Sequence, residues 1–195
     1  MLVAIDIGNT NITIGIFDKD ELIGNYRLTT KVRRTSDEYG FMLKTFLDNS
    51  NIHKADVDDV IVSSVVPKVM HSFRNGIKKF MEIEPIMVAP GIKSGISVQL
   101  ENPKSDGSDR IADCAGAFYE YGGPVLIVDF GTATTYDYVD ENGCFKAGTI
   151  GVGIETGANA LWGQTAQLPE IEIKPPKTIL AKNTQTEMQA GIFYQ

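Results

Sequence analysis

Leu2-Val3-Ala4-Ile5-Asp6-Ile7-Gly8-Asn9-Thr10-Asn11-Ile12-Thr13-Ile14-Gly15-Ile16-Phe17 opens the chain. Its pattern returns at Val125-Leu126-Ile127-Val128-Asp129-Phe130-Gly131-Thr132-Ala133-Thr134-Thr135-Tyr136-Asp137-Tyr138-Val139. Aligned on Asp6 and Asp129, both copies read as an apolar strand, Asp-x-Gly, small hydroxyl and amide residues, and a second β-rich run. The aspartate falls where a strand ends. The glycine permits a tight turn and lets a ligand approach the backbone. The N–H and hydroxyl groups that follow suit phosphate oxygens. A carboxylate beside a phosphate repels it unless a cation lies between them, so the pattern implies a metal ion. A single copy reads more readily as an ordinary hairpin with an Asp-Gly-type turn. Two copies in register, each opening a β-rich block, imply two related halves that face each other across a nucleotide.

The bulk composition narrows the partners. A chain of 195 residues holds one large domain or two small ones, and an apolar share of 43% is that of a globular protein. The net charge of -7 argues against nucleic acid, which binds basic faces. It does not argue against ATP, whose sites rely on local donors and cations. Cys114 and Cys144 lack metal-ligand spacing and read as reduced cytosolic thiols used in packing. No secretory n-region precedes Leu2, and no apolar run approaches membrane-spanning length. A cytoplasmic protein without a membrane partner is expected.

Between the two copies the pattern alternates. Lys19-Asp20 reads as a turn into a third strand over Glu21–Thr29. Thr35-Ser36-Asp37-Glu38 has the form of a capping box, followed by Tyr39, Met42, Leu43, Phe46 and Leu47 at helical spacing. Val60-Ile61-Val62-Ser63-Ser64-Val65-Val66 is β-branched and reads as an internal parallel strand. Pro67 opens a helix with Met70, Phe73, Ile77, Phe80 and Met81 as its core stripe, and Ile86-Met87-Val88-Ala89 is a short strand. The order βββαβαβ fits a mixed sheet with helices packed on it. From Ile92 to Ser108 the pattern loosens into a loop. Ser108 is placed to cap a helix carrying Ile111, Ala115 and Phe118, with Asp109 and Arg110 in its first turn, where the halves should meet.

The second block turns at Asn142-Gly143 into a third strand over 144–150. Gly148, Gly151, Gly153 and Gly157 then lead into a helix with Ala160, Leu161 and Trp162. That passage reads either as a phosphate-holding helix start or as a flexible loop. Thr184-x-x-Glu187 reads as a second capping box, and the chain stops at Gln195 inside a helical pattern. The second half is shorter than the first, so an incomplete chain is expected.

The duplicated Asp-x-Gly-x-Thr hairpin resembles the phosphate loops of the actin-like sugar kinase and heat-shock ATPase superfamily. Asp6-Ile7-Gly8-Asn9-Thr10-Asn11, Gly107-Ser108-Asp109-Arg110 and Asp129-Phe130-Gly131-Thr132-Ala133-Thr134-Thr135, in this order, are together similar to type III pantothenate kinases. Arg34-Thr35-Ser36-Asp37-Glu38-Tyr39, Ser63-Ser64-Val65-Val66-Pro67, Ala166-Gln167-Leu168-Pro169 and Lys182-Asn183-Thr184 extend the likeness along the chain. The resemblance implies an α/β fold of duplicated ribonuclease H-like domains, over 1–113 and 114–195. Each would hold a mixed five-stranded sheet with flanking helices, and the nucleotide would lie in the cleft between them.

It further implies transfer of the ATP γ-phosphoryl group to the primary hydroxyl of pantothenate, the first step of coenzyme A synthesis. The family's members are homodimers that need a divalent cation such as Mg2+ and a monovalent one, K+ or NH4+. By resemblance, Asp6, Ile7, Gly8, Asn9, Thr10, Asn11, Ile12 and Thr13 form the ATP loop, with Asp6 near the divalent ion through the phosphates. Thr132 is a second ATP contact, and Asp129 is the monovalent-cation ligand. Gly107, Ser108, Asp109 and Arg110 bind pantothenate, with Asp109 as proton acceptor, and Thr184 reaches the substrate of the partner subunit. Arg110 offers a planar fork to the substrate carboxylate or hydroxyls.

The chain departs from the family pattern at Leu100 (usually Tyr), Val152-Gly153 (commonly Pro-Gly), Asp113 (commonly Asn) and Gly163-Gln164 (bulkier or charged residues). These positions flank the acceptor pocket and cleft rather than the ATP loop. Two alternatives therefore stay open at this point: a kinase for another small hydroxylated substrate, and a nucleotide-binding regulator of the same fold.

Overall fold

The computed structural model describes residues 1–103 and 106–194; Lys104, Ser105 and Gln195 lie outside the described residues. Strands β1 (Leu2–Ile7), β2 (Asn11–Asp18) and β3 (Glu21–Thr29) form an antiparallel meander. Alternation decides its faces. Val3, Ile5, Ile7, Ile12, Ile14 and Ile16 are buried on one side. Asp6, paired opposite Thr13, faces the other. Helix α1 (Ser36–Asn49) starts at the expected box: Glu38 N–H donates to Thr35 Oγ1 at 3.3 Å, and Thr35 N–H donates to Glu38 Oε2 at 2.7 Å. Strand β4 (Asp59–Ser64) runs parallel to β1, as its β-branched composition implies, and Pro67 begins α2 (Pro67–Met81). With the two-residue β5 (Ile86–Met87), the first sheet has the order β3-β2-β1-β4-β5. Helices α1 and α2 pack together over it, burying Tyr39, Leu43, Leu47, Phe73 and Ile77 in one core with β1, β2 and β4.

The loosened stretch after Ile92 contains a strand that periodicity could not reveal, because β6 (Ser97–Val98) is two residues long. Helix α3 (Ser108–Tyr121) follows, then β7 (Val125–Phe130), β8 (Ala133–Val139) and β9 (Cys144–Val152) as a second antiparallel meander. Its sheet has the order β6-β9-β8-β7, with four strands among the described residues rather than the five expected. Gly143, at φ 75, makes the β8–β9 turn that Asn142-Gly143 signals. Helices α4 (Ile154–Gly163) and α5 (Thr184–Phe193) pack on each other through Ala158, Met188 and Ile192. Helix α3 touches β4 of the first sheet and β7 and β8 of the second. It runs unbroken through residues 113 and 114, where the sequence reading divides the domains.

Three local expectations are corrected. Ser108 does not cap α3. Gly107 holds that position, and Ser108 Oγ instead accepts the Ser64 N–H at 2.8 Å and donates to the Ser64 carbonyl at 3.0 Å. Thr184 does not cap α5 either; Asn183 does, its Oδ1 accepting the Thr186 N–H at 3.0 Å. The glycine-rich passage is not a flexible loop: Gly148 and Gly151 lie inside β9, and Gly153 is the N-cap of α4. Both cysteines are free thiols, as expected. Among the described residues, no helix is long and apolar enough to cross a membrane.

Candidate active site

A cleft of about 1240 Å³ opens between the two meanders. That exceeds the usual size of a small-molecule site and suits a nucleotide with a second substrate beside it. The first turn, between β1 and β2, contributes Asp6, Gly8, Asn9, Thr10, Asn11 and Thr13 to the lining. Ile7 and Ile12, expected in the same loop, are fully buried in the core and hold the turn from behind. The second turn, between β7 and β8, contributes Asp129, Gly131, Thr132 and Thr135, and Asp129 is paired opposite Thr135 as Asp6 is opposite Thr13.

Both turns are closed by the glycine donating forward: Gly8 N–H to the Asn11 carbonyl at 2.9 Å, and Gly131 N–H to the Ala133 carbonyl at 3.0 Å. Those two N–H groups are thus used by the turns. Side-chain hydroxyls and amides of the turns, with Arg27 and Lys31, are among the donors lining the cleft. The turns meet across it, where Thr10 Oγ1 and Thr132 Oγ1 share a hydrogen bond at 3.0 Å. Each is braced from outside. Thr30 Oγ1 donates to the Gly8 carbonyl at 2.8 Å, and its N–H donates to the Thr10 carbonyl at 2.9 Å. Gly153 N–H and Thr156 Oγ1 donate to the Thr132 carbonyl at 3.2 and 2.7 Å. The sequence reading missed Thr30 and Thr156, because a lone threonine outside a motif carries no local signal. The start of α4 reaches the cleft through Ile154, Glu155 and Thr156.

The third group comes from α3. Asp109 lines the cleft, and its Oδ1 accepts the Arg110 backbone N–H at 2.8 Å. Its carboxylate folds back against Gly107, where a Cβ would collide with Asp109 Oδ1. Asp113, one helical turn further along α3, lines the same cleft. Burial, followed by the neighbouring charges of Asp129, Asp109, Asp6 and Asp137, pushes the Asp113 carboxyl up to about 7. Asp6 is raised by protein crowding around its carboxylate and by the charges of Asp109 and Asp129, against a lowering hydrogen bond from Ser63. Asp129 is raised by the same crowding and by Asp109 and Asp137. These shifts describe carboxylates gathered closely enough to repel one another.

The donor set fits cations held through a ligand. Among the described residues, no group of three or more His, Cys, Asp or Glu side chains is placed to hold a metal ion by itself. One carboxylate per turn, Asp6 and Asp129, is a sparse oxygen donor set that fits cations whose coordination is completed by substrate phosphates and water.

Other expected residues lie elsewhere. Gly107 and Ser108 form the start of α3 behind Asp109. Arg110 turns its guanidinium onto Asp137 of β8 and onto Asp106. Thr184 is exposed in the first turn of α5 and does not line the cleft of its own chain. Leu100 packs against the apolar cluster of Cys114, Val139 and Phe145 rather than lining the cleft.

Paired Asp-x-Gly hairpins facing one acidic cleft define a protein of the ATP-dependent small-molecule kinase class. The chain belongs to the type III pantothenate kinase family, whose model matches residues 2–195. It is 60% identical over 194 residues to the type III pantothenate kinase of Bifidobacterium longum subsp. infantis, covering 100% of this chain and 76% of that one. It is 54% identical to that of Agathobacter rectalis and 43% identical to that of Listeria monocytogenes, in each case over 100% of this chain and 75% of the relative. A Baf-family protein of Campylobacter jejuni shares the fold, at a TM-score of 0.56 and 18% identity, over 98% of this chain and 74% of that structure.

Proposed function

We propose that this chain is a pantothenate kinase: it transfers the γ-phosphoryl group of ATP to the primary hydroxyl of pantothenate, giving 4'-phosphopantothenate in the first step of coenzyme A synthesis. The observation that carries the reading is the meeting of the two Asp-x-Gly turns at Thr10 and Thr132, with Asp109 on the same cleft. Phosphoryl transfer asks for alignment and charge neutralisation more than for covalent chemistry, and the two turns supply both. The phosphates lie between the turns, along Asn9, Thr10, Asn11, Thr13 and Thr132. Asp6 would hold a divalent ion through them and Asp129 a K+ or NH4+ ion, each supplying charge neutralisation. Those cations would add to the positive charge of Arg27 and Lys31 against the carboxylates of Asp6, Asp109, Asp113 and Asp129.

Asp109 accepts the hydroxyl proton as the oxygen bonds to the γ-phosphorus. The bond to the β,γ-bridging oxygen breaks, and ADP leaves with that electron pair. A positioned base of this kind contributes about 10²–10⁴-fold. Family membership is the support for a homodimer in which α5 of one copy, where Thr184 is exposed, completes the acceptor pocket of the other, and for a cytoplasmic enzyme. Two actin-like domains, joined through α3, close on the nucleotide.

Coupled ADP release with Mg-ATP, with and without pantothenate, in K+ or in Na+ alone, tests the reading. Pantothenate-dependent, K+-stimulated turnover is expected. Asp109→Asn should lower it by about 10²–10⁴-fold while ATP binding persists. ADP release that ignores pantothenate in folded protein would refute the acceptor, and unchanged turnover in Asp109→Asn would remove the base.

A further inference from the structure

Arg110 stands in the motif of the acceptor pocket, yet all three nitrogens of its guanidinium are engaged within the chain. Nε donates to both carboxylate oxygens of Asp137 at 3.1 Å, Nη2 donates to Asp137 Oδ1, and Nη1 donates to Asp106 Oδ1 at 3.2 Å. The group also lies over the Phe145 ring, 5.3 Å from its centroid. The pairing is interior: the side chains of Arg110, Asp137 and Asp106 are 13%, 1% and 12% exposed. Gly148, paired opposite Asp137 on β9, has no Cβ to intrude; one would strike both the guanidinium and the Asp137 carboxylate. For Arg110 to turn toward a substrate carboxylate, Asp137 would be left as a buried charge without its partner, which is costly. At the same time, the backbone N–H of Arg110 donates to Asp109 Oδ1 at 2.8 Å.

We propose that Arg110 is a positioning residue: clamped by Asp137 and Asp106, it locks the first turn of α3 onto β8 and thereby sets where the Asp109 carboxylate stands, and its fork does not bind the acceptor's carboxylate. The inference rests on the pantothenate kinase reading, with Asp109 as the base. A bidentate fork held by a buried partner has one geometry, so it transmits position through the backbone it belongs to. A lysine would keep the charge and lose the fork.

The test is steady-state kinetics of the protein and of Arg110→Lys, Asp137→Asn and Asp106→Asn. The acceptors are pantothenate and its alcohol analogue, which keeps the diol end and lacks the carboxylate. Misplacing a reacting group by an ångström costs about 10²-fold. Arg110→Lys and Asp137→Asn should therefore each lose kcat on that order, with the pantothenate KM within about threefold of the parent's, an equal loss on the neutral analogue, and unchanged ATP binding. A pantothenate KM raised tenfold or more in Arg110→Lys, with kcat kept and the analogue unaffected, would overturn the inference. So would an unimpaired Asp137→Asn, because it leaves Arg110 free to bind a carboxylate. Should the two inner variants fail to fold, Asp106→Asn decides: a smaller fall in kcat at constant KM supports the clamp, and an unaltered kcat overturns it. Absence of pantothenate turnover in the parent protein would refute the kinase reading itself, a distinct outcome.

Discussion

Replacing Gly107 by alanine adds one methyl group at the point where the proposed base rests. The backbone there, at φ -62 and ψ 138, is open to any residue, so the substitution introduces no dihedral strain. Gly107 is the N-cap of α3, and a cap change of this kind costs at most about 1 kcal/mol. The new Cβ, however, would stand against Asp109 Oδ1 well inside the 3.0 Å that real Cβ contacts keep, and 3.3 Å from Val65 Cγ1. The carboxylate is the freer of the two neighbours and must retreat by roughly 1 Å, a displacement worth about 10²-fold in rate. That corresponds to about 2.7 kcal/mol of transition-state stabilisation. Gly107→Ala should therefore lose about two decades of kcat in coupled ADP release, at an ATP affinity like the parent's. Its Tm should fall by no more than about 2–4 °C for a chain of this size. Turnover within threefold of the parent, in a folded variant, would refute the claim that the position of Asp109 sets the rate.

Asp113 gives a pH-dependent outcome. Its carboxyl is held up at about 7 by burial and by Asp129, Asp109, Asp6 and Asp137, so its protonated form favours the folded state. That contribution is complete below its unfolded pKa of about 4 and is lost as the pH rises through about 7. Asp113→Asn stays neutral throughout, so its Tm should match the parent's near pH 4 and exceed it at pH 8–9; the same difference at both pH values would count against the crowding. Gly76→Ala tests the helix pair over the first sheet. Its Cβ would lie 2.7 Å from the Ser36 carbonyl and 3.1 Å from the Gly40 nitrogen, both backbone atoms of α1. The helices must separate, costing about 1–3 kcal/mol. A chemical denaturation midpoint unchanged from the parent's would show that α1 and α2 are not held at that spacing.

The first sheet was legible because its signals are local and strong. The apolar run before Asp6 and the β-rich run after Asn11 marked two strands, and the box at Thr35 and Glu38 and the proline at 67 fixed both helix starts. What failed was what local sequence cannot encode. Ser108 and Thr184 have the right chemistry to cap, but the neighbours Gly107 and Asn183 hold those positions. Ser108 is drawn away by β4, 44 residues earlier in the chain. Strand β6 is too short to show a period. Within the site, the motif named Asp6, Asp109, Asp129 and Thr132, and the cleft gathers all four. The motif could not separate residues that face the cleft from Ile7 and Ile12, which only support it. Nor could it show that Arg110 is already committed to Asp137, because a pairing between α3 and β8 exists only once the chain is folded.

An acidic cleft is a poor receptor for an anion, and the geometry turns that apparent flaw into a requirement. Asp6, Asp109, Asp113 and Asp129 line one cavity, and Asp6, Asp113 and Asp129 titrate above their ordinary range. Arg27 and Lys31 line the same cleft, whereas Arg110 is neutralised by its clamp. Free ATP would add like charge to these carboxylates, and on the proposed reading Arg27, Lys31 and bound cations offset it. The same repulsion penalises a closed cleft without ligand, which sets a single hydroxyl contact between Thr10 and Thr132 against several carboxylates. On that reading cation binding and closure are coupled: the carboxylates would oppose closure, and the positive charge that offsets them is the charge that phosphoryl transfer needs.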